Sequence, residues 1–328
     1  MVTLSEMKKG MNDKIARQVV DLFQQESEIL SLMPFDDCMT PGGGSTLTYA
    51  YMQKQTPSTA DFRAWGSEYT PGEAIINRRY ADLKIFGGKF QVDRIMKDAE
   101  GRYETIAFQM KEKVRAATSL FQYAMINGTT ETGSLSFEGL DSMLTDTETE
   151  YGLDTVIDLS TITALRENAD VFYEALQRLI RDTEADVLMM NSDMLGKVQT
   201  VARVLGYRTE TETAFGRRVT SMDGVRLIDM GVHYLVSGSS VTAVTVVPGG
   251  LTRTIDGKTY TGLTDIYAAK LDVNDGFHAV TLRGGAGVSQ YLPDFSTPGA
   301  VKEGEVEMVA ATVLKNTRHA GVLRNIKV

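Results

Sequence analysis

The sequence predicts an α+β protein, and three observations carry that prediction. Two strand-like runs with a period of two, STLTYAYMQKQ at 45–55 and RRYADLKIFGGKFQVDR at 78–94, flank a stretch rich in Pro, Gly, Ser and Thr. A helical stripe then runs unbroken from 98 to 127. Beyond residue 160, helical and strand patterns alternate. At 328 residues the chain can hold two or three domains, and 42% hydrophobic with 23% charged residues is the composition of a globular protein, not a disordered one.

In chain order, Ile15, Val19, Leu22, Phe23, Ile29 and Leu30 fall at helical spacing and stop before Pro34, so residues 4–33 are expected to be helical and 1–33 to form an N-terminal arm. Residues 34–77 are expected to hold the first arm and tip of an extended hairpin, rooted in PGGGS at 41–45. Leu47, Tyr49 and Tyr51 share one face of the first arm. In the second arm Ala81, Leu83 and Ile85 oppose Tyr80, Asp82, Lys84 and Phe86, and Gly87-Gly88 is the expected break. The segment 56–74 between them is a long loop. Arms of about ten residues would reach about 33 Å, and an isolated two-stranded ribbon is marginal in water. Something beyond the hairpin must cover it.

Residues 78–160 are expected to continue from the second arm into a peripheral domain whose spine is the helix 98–127. Tyr103, Ile106, Ala107, Met110, Val114, Ala117, Phe121, Ala124 and Met125 make its stripe, and Gly128 its stop. Thirty helical residues span about 45 Å, too long for the inside of a small domain. The region 161–300 reads as a mixed α/β domain. Within it 164–182 is helical, ADVLMMN is a strand apolar on both faces, and Ser192 or Asp193 caps a helix ended by Gly206. Strands follow at 225–229 and 241–247, and Asp256-Gly257 marks a tight hairpin turn. Residues 301–328 are expected to return to the body as a C-terminal strand.

The search for chemistry finds no catalytic, cofactor-binding or metal-binding constellation. His233, His278 and His319 stand apart in sequence and are assigned structural or surface roles. No Gly lies five places before Gly88-Lys89, Gly196-Lys197 or Gly257-Lys258, GGAGVSQ at 284–290 lacks the third Gly of a dinucleotide site, and no GxSxG elbow occurs. A single Cys38 excludes an internal disulfide and is expected to be a buried or incidental thiol. No signal sequence and no run of about 18 apolar residues is seen, so no membrane partner is expected. A net charge of −9 argues against a surface that grips nucleic acid all over.

Charge is nonetheless uneven. Arg78 to Arg115 holds ten Lys and Arg against six Asp and Glu, a balance of +4, whereas Ala116 to Leu165 has eight acidic residues and no Lys or Arg. One reading is a solvated helix face beside an acidic loop. The other is that one copy's basic ribbon meets another copy's acidic region. On it, Arg78, Arg79, Lys84, Lys89, Glu131 and Asp141, with Phe62 and Trp65 of the hairpin loop, are the expected intersubunit contacts.

The order of these elements, with DVLMMNSDMLGKV, DGVRLID, TDIYAAKLDVNDGFHAV and a closing strand, resembles the major capsid proteins of tailed bacteriophages, a fold shared with herpesvirus capsid floors and encapsulin compartments. The resemblance spans the chain and rests on architecture, not on an invariant motif. It implies that the hairpin is an extended loop lying over the neighbouring subunit of its ring, that the arm reaches another neighbour, and that 161–300 is the axial domain. It further implies a non-enzymatic shell of hexamers and pentamers around double-stranded DNA, assembled in the host cytoplasm and found in the virion. Portal, scaffolding and decoration proteins would be partners. Met1 leads directly into the arm, so scaffolding is expected to come from a separate protein or to be dispensable. Some relatives join subunits through a Lys–Asn isopeptide bond; Lys84, Lys89 and Asn316 lie in the corresponding regions, with nothing local to mark them as reactive. An encapsulin-like compartment around cargo enzyme stays open beside this reading, as does a metabolic enzyme with an unrecognised site.

Overall fold

The computed structural model describes residues 27–38, 46–56, 58–73, 75–97, 102–207, 210–214, 217–237, 240–282 and 288–328. Residues 1–26 of the expected arm lie outside them. The described chain opens with helix α1 (Glu28–Leu32), strand β1 (Phe35–Asp37), and strands β2 (Thr48–Thr56), β3 (Ile75–Asp82) and β4 (Lys84–Asp93). The helical pattern through 4–33 is interrupted at Ser27, which is extended and caps α1, its Oγ accepting from the Leu30 N–H at 3.3 Å. Ile29 and Leu30 are buried in the body of this same chain.

Strands β2 and β3 form the expected hairpin, in register from Thr48 opposite Asp82 to Lys54 opposite Ile76. The run 78–94, however, divides at Leu83 and not at the two glycines. The buried Leu83 donates its N–H to the Leu47 carbonyl at 2.8 Å, and from Lys84 onward the chain leaves β2. Its new partner is strand β17 (Val301–Leu314), paired from Lys84 opposite Ala310 to Asp93 opposite Val301. Gly87 sits in the middle of this ladder for a steric reason, since a Cβ there would lie 2.0 Å from the Val306 carbonyl oxygen.

The spine follows as α2 (Arg102–Asn127), which packs on β4 and β17 through Met110, Val114, Ala117, Phe121 and Met125. Ala107 of the expected stripe is exposed, and Tyr103 lies outside the side chains described. Gly128 ends the helix by allowing a close crossing, not by a left-handed turn: a Cβ on it would meet the Phe137 carbonyl at 2.2 Å. Short elements come next, namely α3 (Leu140–Leu144), β5 (Glu150–Tyr151) and β6 (Ile157–Asp158).

The α/β part comprises α4 (Ile162–Thr183), β7 (Val187–Met190), α5 (Ser192–Leu205), β8 (Glu210–Ala214), β9 (Arg217–Met222), β10 (Val225–Asp229), β11 (Val232–Ser237), β12 (Ser240–Thr245), β13 (Leu251–Ile255) and β14 (Lys258–Ala269). Strands β15 (Phe277–Thr281) and β16 (Val288–Tyr291) precede β17, and β18 (Ala320–Lys327) closes the chain. The α5 cap is Asn191, one residue before the two expected. Its Oδ1 accepts from Met194 N–H at 2.8 Å while its amide donates to Thr264 Oγ1 at 2.8 Å, a second bond that an ionised Asp could not make. Gly206 ends α5 in the left-handed region as expected, and Asp256 and Gly257, with φ of 50° and 73°, make the turn from β13 to β14.

Two large sheets result among the described residues, beside the two-stranded β2–β3 and β11–β12 ribbons. The larger runs β5-β18-β14-β7-β10-β9-β8, with β13 and β6 also joined to it. Strand β7 is covered on both faces: Leu188 and Met190 face the core with α4 and α5, and Val187 and Met189 face the core shared with α2. The smaller sheet runs β1-β15-β17-β16, with β4 beside β17. The expected single returning strand is thus two, β17 in the smaller sheet and β18 inside the larger one. Sheet membership cuts across the boundaries expected at 160 and 300, because β5, β6 and β18 belong with 161–269 while β15 and β16 belong with β4.

Candidate assembly surfaces

The hairpin stands out from the body. Every residue of β3 except Ala81 is exposed, and at the tip Phe62 and Trp65 are wholly so. The loop 58–73 is held by its own short-range bonds, Arg63 Nη1 donating to the Ser67 carbonyl at 3.1 Å with its guanidinium 5.3 Å from the Tyr69 ring centre. Large exposed aromatics on a locally ordered loop are anchors without a pocket.

The root is better tied. Tyr49 Oη donates to Asp36 Oδ2 at 2.6 Å, Gln53 Nε2 donates to the Leu314 carbonyl at 3.3 Å, and Lys315 Nζ lies 5.5 Å from the Tyr49 ring centre. Beneath them His278 is 0% exposed, 6.1 Å from Tyr49 ring to ring, and neither of its nitrogens has a hydrogen-bond partner among the described residues. Burial, followed by the charge of Lys315, lowers its pKa to about 4.

The expected charged contacts divide. Arg78 stacks its guanidinium 5.2 Å from the Tyr80 ring centre, Glu131 is exposed, and Lys89 pairs with Glu303 of its own β17 at 3.3 Å, while Lys84 is half-buried in β4. Asp141 is committed inside the chain, accepting from Arg324 Nη1 at 2.6 Å and Tyr267 Oη at 2.8 Å. Arg79 lines a groove of about 610 Å³ with Glu138, Asp146, Glu148 and Arg318, so at this point the basic and acidic segments meet within one chain. Arg318 is itself paired with Glu148 at 2.6 Å.

Sequence reasoning missed a buried polar network in the larger sheet. Arg324 on β18 reaches Asp141, Asp265 at 3.3 Å and Glu150, and Arg253 on β13 makes a fork to Asp265 at 2.6 and 2.5 Å. Asn325 binds Arg253 through Oδ1 at 2.9 Å and the Gly152 carbonyl through Nδ2 at 2.8 Å. Charges in alternation with apolar residues read as a solvent face, and only the pairing of β18 inside the sheet turns that face inward. Of the β11–β12 ribbon only the second strand was expected, at 241–247; its partner β11 and their pairing were missed, and Tyr234, Val236 and Val241 are exposed. Its signal, an uncharged VHYLV…VTAVT pair of runs, was present.

As for chemistry, no group of three or more His, Cys, Asp and Glu able to hold a metal occurs among the described residues. Cys38 is buried, and desolvation with Asp36 and Asp37 nearby pushes its thiol up to about 11, the reverse of an activated thiolate. His233 packs on Tyr123 and lies 3.2 Å from Ser119 Oγ. His319 has acidic neighbours after all, Asp275 Oδ1 at 3.4 Å and Glu184 Oε2 at 3.9 Å, the latter already held by Lys270 at 2.6 Å. No helix among the described residues is long and apolar enough to cross a membrane.

No protein-family model and no curated protein matches the chain. Solved structures do. A chain of an encapsulin complex from Synechococcus elongatus PCC 7942 superposes with a TM-score of 0.60 at 14% identity, over 91% of this chain and 87% of that one. The capsid of a native GTA particle gives 0.55 at 12% identity, over 92% and 91%. A chain of the satellite phage P4 procapsid gives 0.52 at 10% identity, over 99% of both. The chain therefore has the fold of these capsid and encapsulin chains, along nearly its whole length.

Proposed function

We propose that this protein is a shell subunit that assembles with copies of itself into a closed icosahedral particle, the head of a tailed bacteriophage around double-stranded DNA. The observation that carries the reading is the uncovered hairpin, joined to a fold whose solved examples are capsids and compartments. A ribbon that exposes Phe62 and Trp65 gains by lying on another copy. Rings of hexamers and pentamers would close the shell, and the DNA would be held without sequence preference, consistent with a net charge of −9. Portal, scaffolding and decoration proteins would complete the particle, formed in the host cytoplasm. A second reading, a compartment around cargo enzyme, is favoured by the higher TM-score with the encapsulin. Both make the chain a structural protein without turnover of its own.

Electron microscopy of the purified protein tests the shared claim, and soluble monomer under all assembly conditions would overturn it. The contents separate the two readings: nuclease-resistant double-stranded DNA for the phage head, a co-purifying enzyme for the compartment.

A further inference from the structure

The hairpin is seated on the body through one side of β2. Tyr49 and Tyr51 pack on the core, Tyr49 Oη donates to Asp36 of β1 at 2.6 Å, and Gln53 Nε2 donates to the Leu314 carbonyl at the end of β17 at 3.3 Å. Under Tyr49 stands His278 of β15, opposite Val313 of β17, its ring edge-on to the tyrosine at 6.1 Å and 77°. The imidazole is 0% exposed and neither nitrogen has a hydrogen-bond partner among the described residues. A phenyl ring would fill this place without leaving a buried N–H unpaired, so packing gives no reason for an imidazole here.

The charged and titratable groups that face the ring are Asp36 from β1, Tyr49 from β2, Lys315 just past β17 and Asp272 before β15, with Cys38 next along the β1 segment. Asp36, against the cost of its burial, is held below the usual carboxylate range by Tyr49 and the Asp37 N–H, while burial and then the bond to Asp36 push the Tyr49 hydroxyl up. Both keep their states over the range in which the imidazole charges. Lys315, 5.5 Å from the Tyr49 ring centre and donating to the Val273 carbonyl at 2.7 Å, sets a like charge beside it. Of the two N–H donors of an imidazolium, one can turn to the Gly276 carbonyl, which lies beside the ring short of hydrogen-bond geometry. The other has no acceptor, because Asp36 is committed to Tyr49. It gains water and Asp36 only when Tyr49 lifts away.

We propose that His278 is an acid-operated latch on the hairpin: neutral, it lets the root lie on the sheet, and protonated, it drives Tyr49 off its seat and frees the ribbon to swing about Leu83. Leu83 is the pivot because β3 passes there into β4, whose ladder with β17 stops at Ala310, short of the seat at Val313. Asp36, once released, accepts from the imidazolium and steadies the open form. The latch rests on contacts within one chain and holds whether or not the chain forms shells. The seated ring titrates at about 4 and a free one at about 6.5, so the seated form is fully favoured above 6.5 and loses ground toward 4. Between pH 7 and 4.5 release rises by about fiftyfold.

The test follows amide hydrogen exchange of the full chain at pH 7 and 4.5, corrected for the intrinsic effect of pH. A two-stranded ribbon off its sheet is marginal, so opening of the β2 and β3 amides is expected to rise by up to about fiftyfold in wild type, with α4 and α5 unchanged. In His278→Phe, which keeps a ring and cannot take the proton, the rise is expected to stay below about threefold. Equal rises in the two proteins, or none in wild type, overturn the latch. A rise in α4 and α5 as large as in the hairpin would mean acid unfolding of the whole chain and overturns it as well. Should His278→Phe fail to fold, exchange at the C2 carbon of the His278 imidazole in wild type decides: titration in step with opening of the hairpin supports the latch, and titration apart from it overturns it.

Discussion

Strands β7 and β3 are regular pieces of sheet in one chain with opposite fates. All four residues of β7 are buried, between α4 and α5 on one side and the α2 core on the other; β3 shows every side chain but one to solvent. The difference teaches where each strand's cover comes from. The larger sheet is finished by its own helices and its own polar network, whereas β3 is left uncovered by its own chain, and under the proposed function its cover comes from other copies. Stability and assembly are therefore expected to respond to different substitutions.

The strongest test replaces the tip, residues 58–73, by a short turn. Assembly is expected to be lost outright, while the unfolding free energy shifts by no more than about 0.5 kcal/mol, the range for surface changes. Size-exclusion chromatography with circular dichroism reads both, and normal shells from the deletion would erase the contrast between the two strands.

The converse test strikes the larger sheet. Arg324→Leu leaves the buried Glu150 without its guanidinium, while Asp265 keeps the fork from Arg253, and breaking a buried ion network in this way costs about 3 to 5 kcal/mol. Denaturant unfolding should show that loss in the unassembled subunit. A cost below about 1 kcal/mol would mean that the network is solvated and the sheet is held by packing alone.

The contrast was half visible in the sequence. The period of the spine, the α4–β7–α5 order and the Asp256-Gly257 turn follow from local patterns that the structure keeps. The division at Leu83 was not legible, since the partner of β4 is β17, more than two hundred residues away, and periodicity names faces without naming neighbours. The two glycines misled for a related reason: at Gly87 the missing side chain admits a neighbouring strand and does not bend its own. Of the candidate contacts, the exposure of Phe62 and Trp65 was legible because apolar residues in a polar loop are conspicuous. Asp141 misled because its partner, Arg324, becomes a neighbour only once β18 enters the sheet.

The hairpin root should respond to pH where the tip does not. His278 has a folded pKa of about 4 against about 6.5 unfolded, and Asp36, Lys315, Asp272 and Tyr49 are the charged and titratable groups around it. As pH falls below 6.5 the unfolded chain takes up this proton first, so the contribution is complete above that value and declines toward pH 4, by up to about 3 kcal/mol. Denaturant midpoints at pH 7, 5.5 and 4.5 should drop for wild type and drop less for His278→Leu. Parallel curves would show that the root is open to water.

The smallest effects are expected from Arg78 and Arg79, and they sharpen the comparison because these neighbours on β3 point to different faces. Arg79 lines the groove with Glu138 and Glu148 of its own chain, so Arg79→Glu sets like charges together within one subunit. Arg78 rests on Tyr80 on the other face, where Arg78→Glu alters only what an approaching copy meets. Exposed pairs contribute roughly 0 to 1 kcal/mol and are screened within about 8 Å at physiological salt. Arg79→Glu should therefore lower the unfolding midpoint slightly, while Arg78→Glu leaves it unchanged and slows assembly at low ionic strength, an effect that fades as salt is added. Light scattering across ionic strength reads the second. Identical assembly curves for wild type and Arg78→Glu at low salt would mean that this arginine is merely solvated, and that the basic stretch finds its acidic counterpart within the chain rather than between copies.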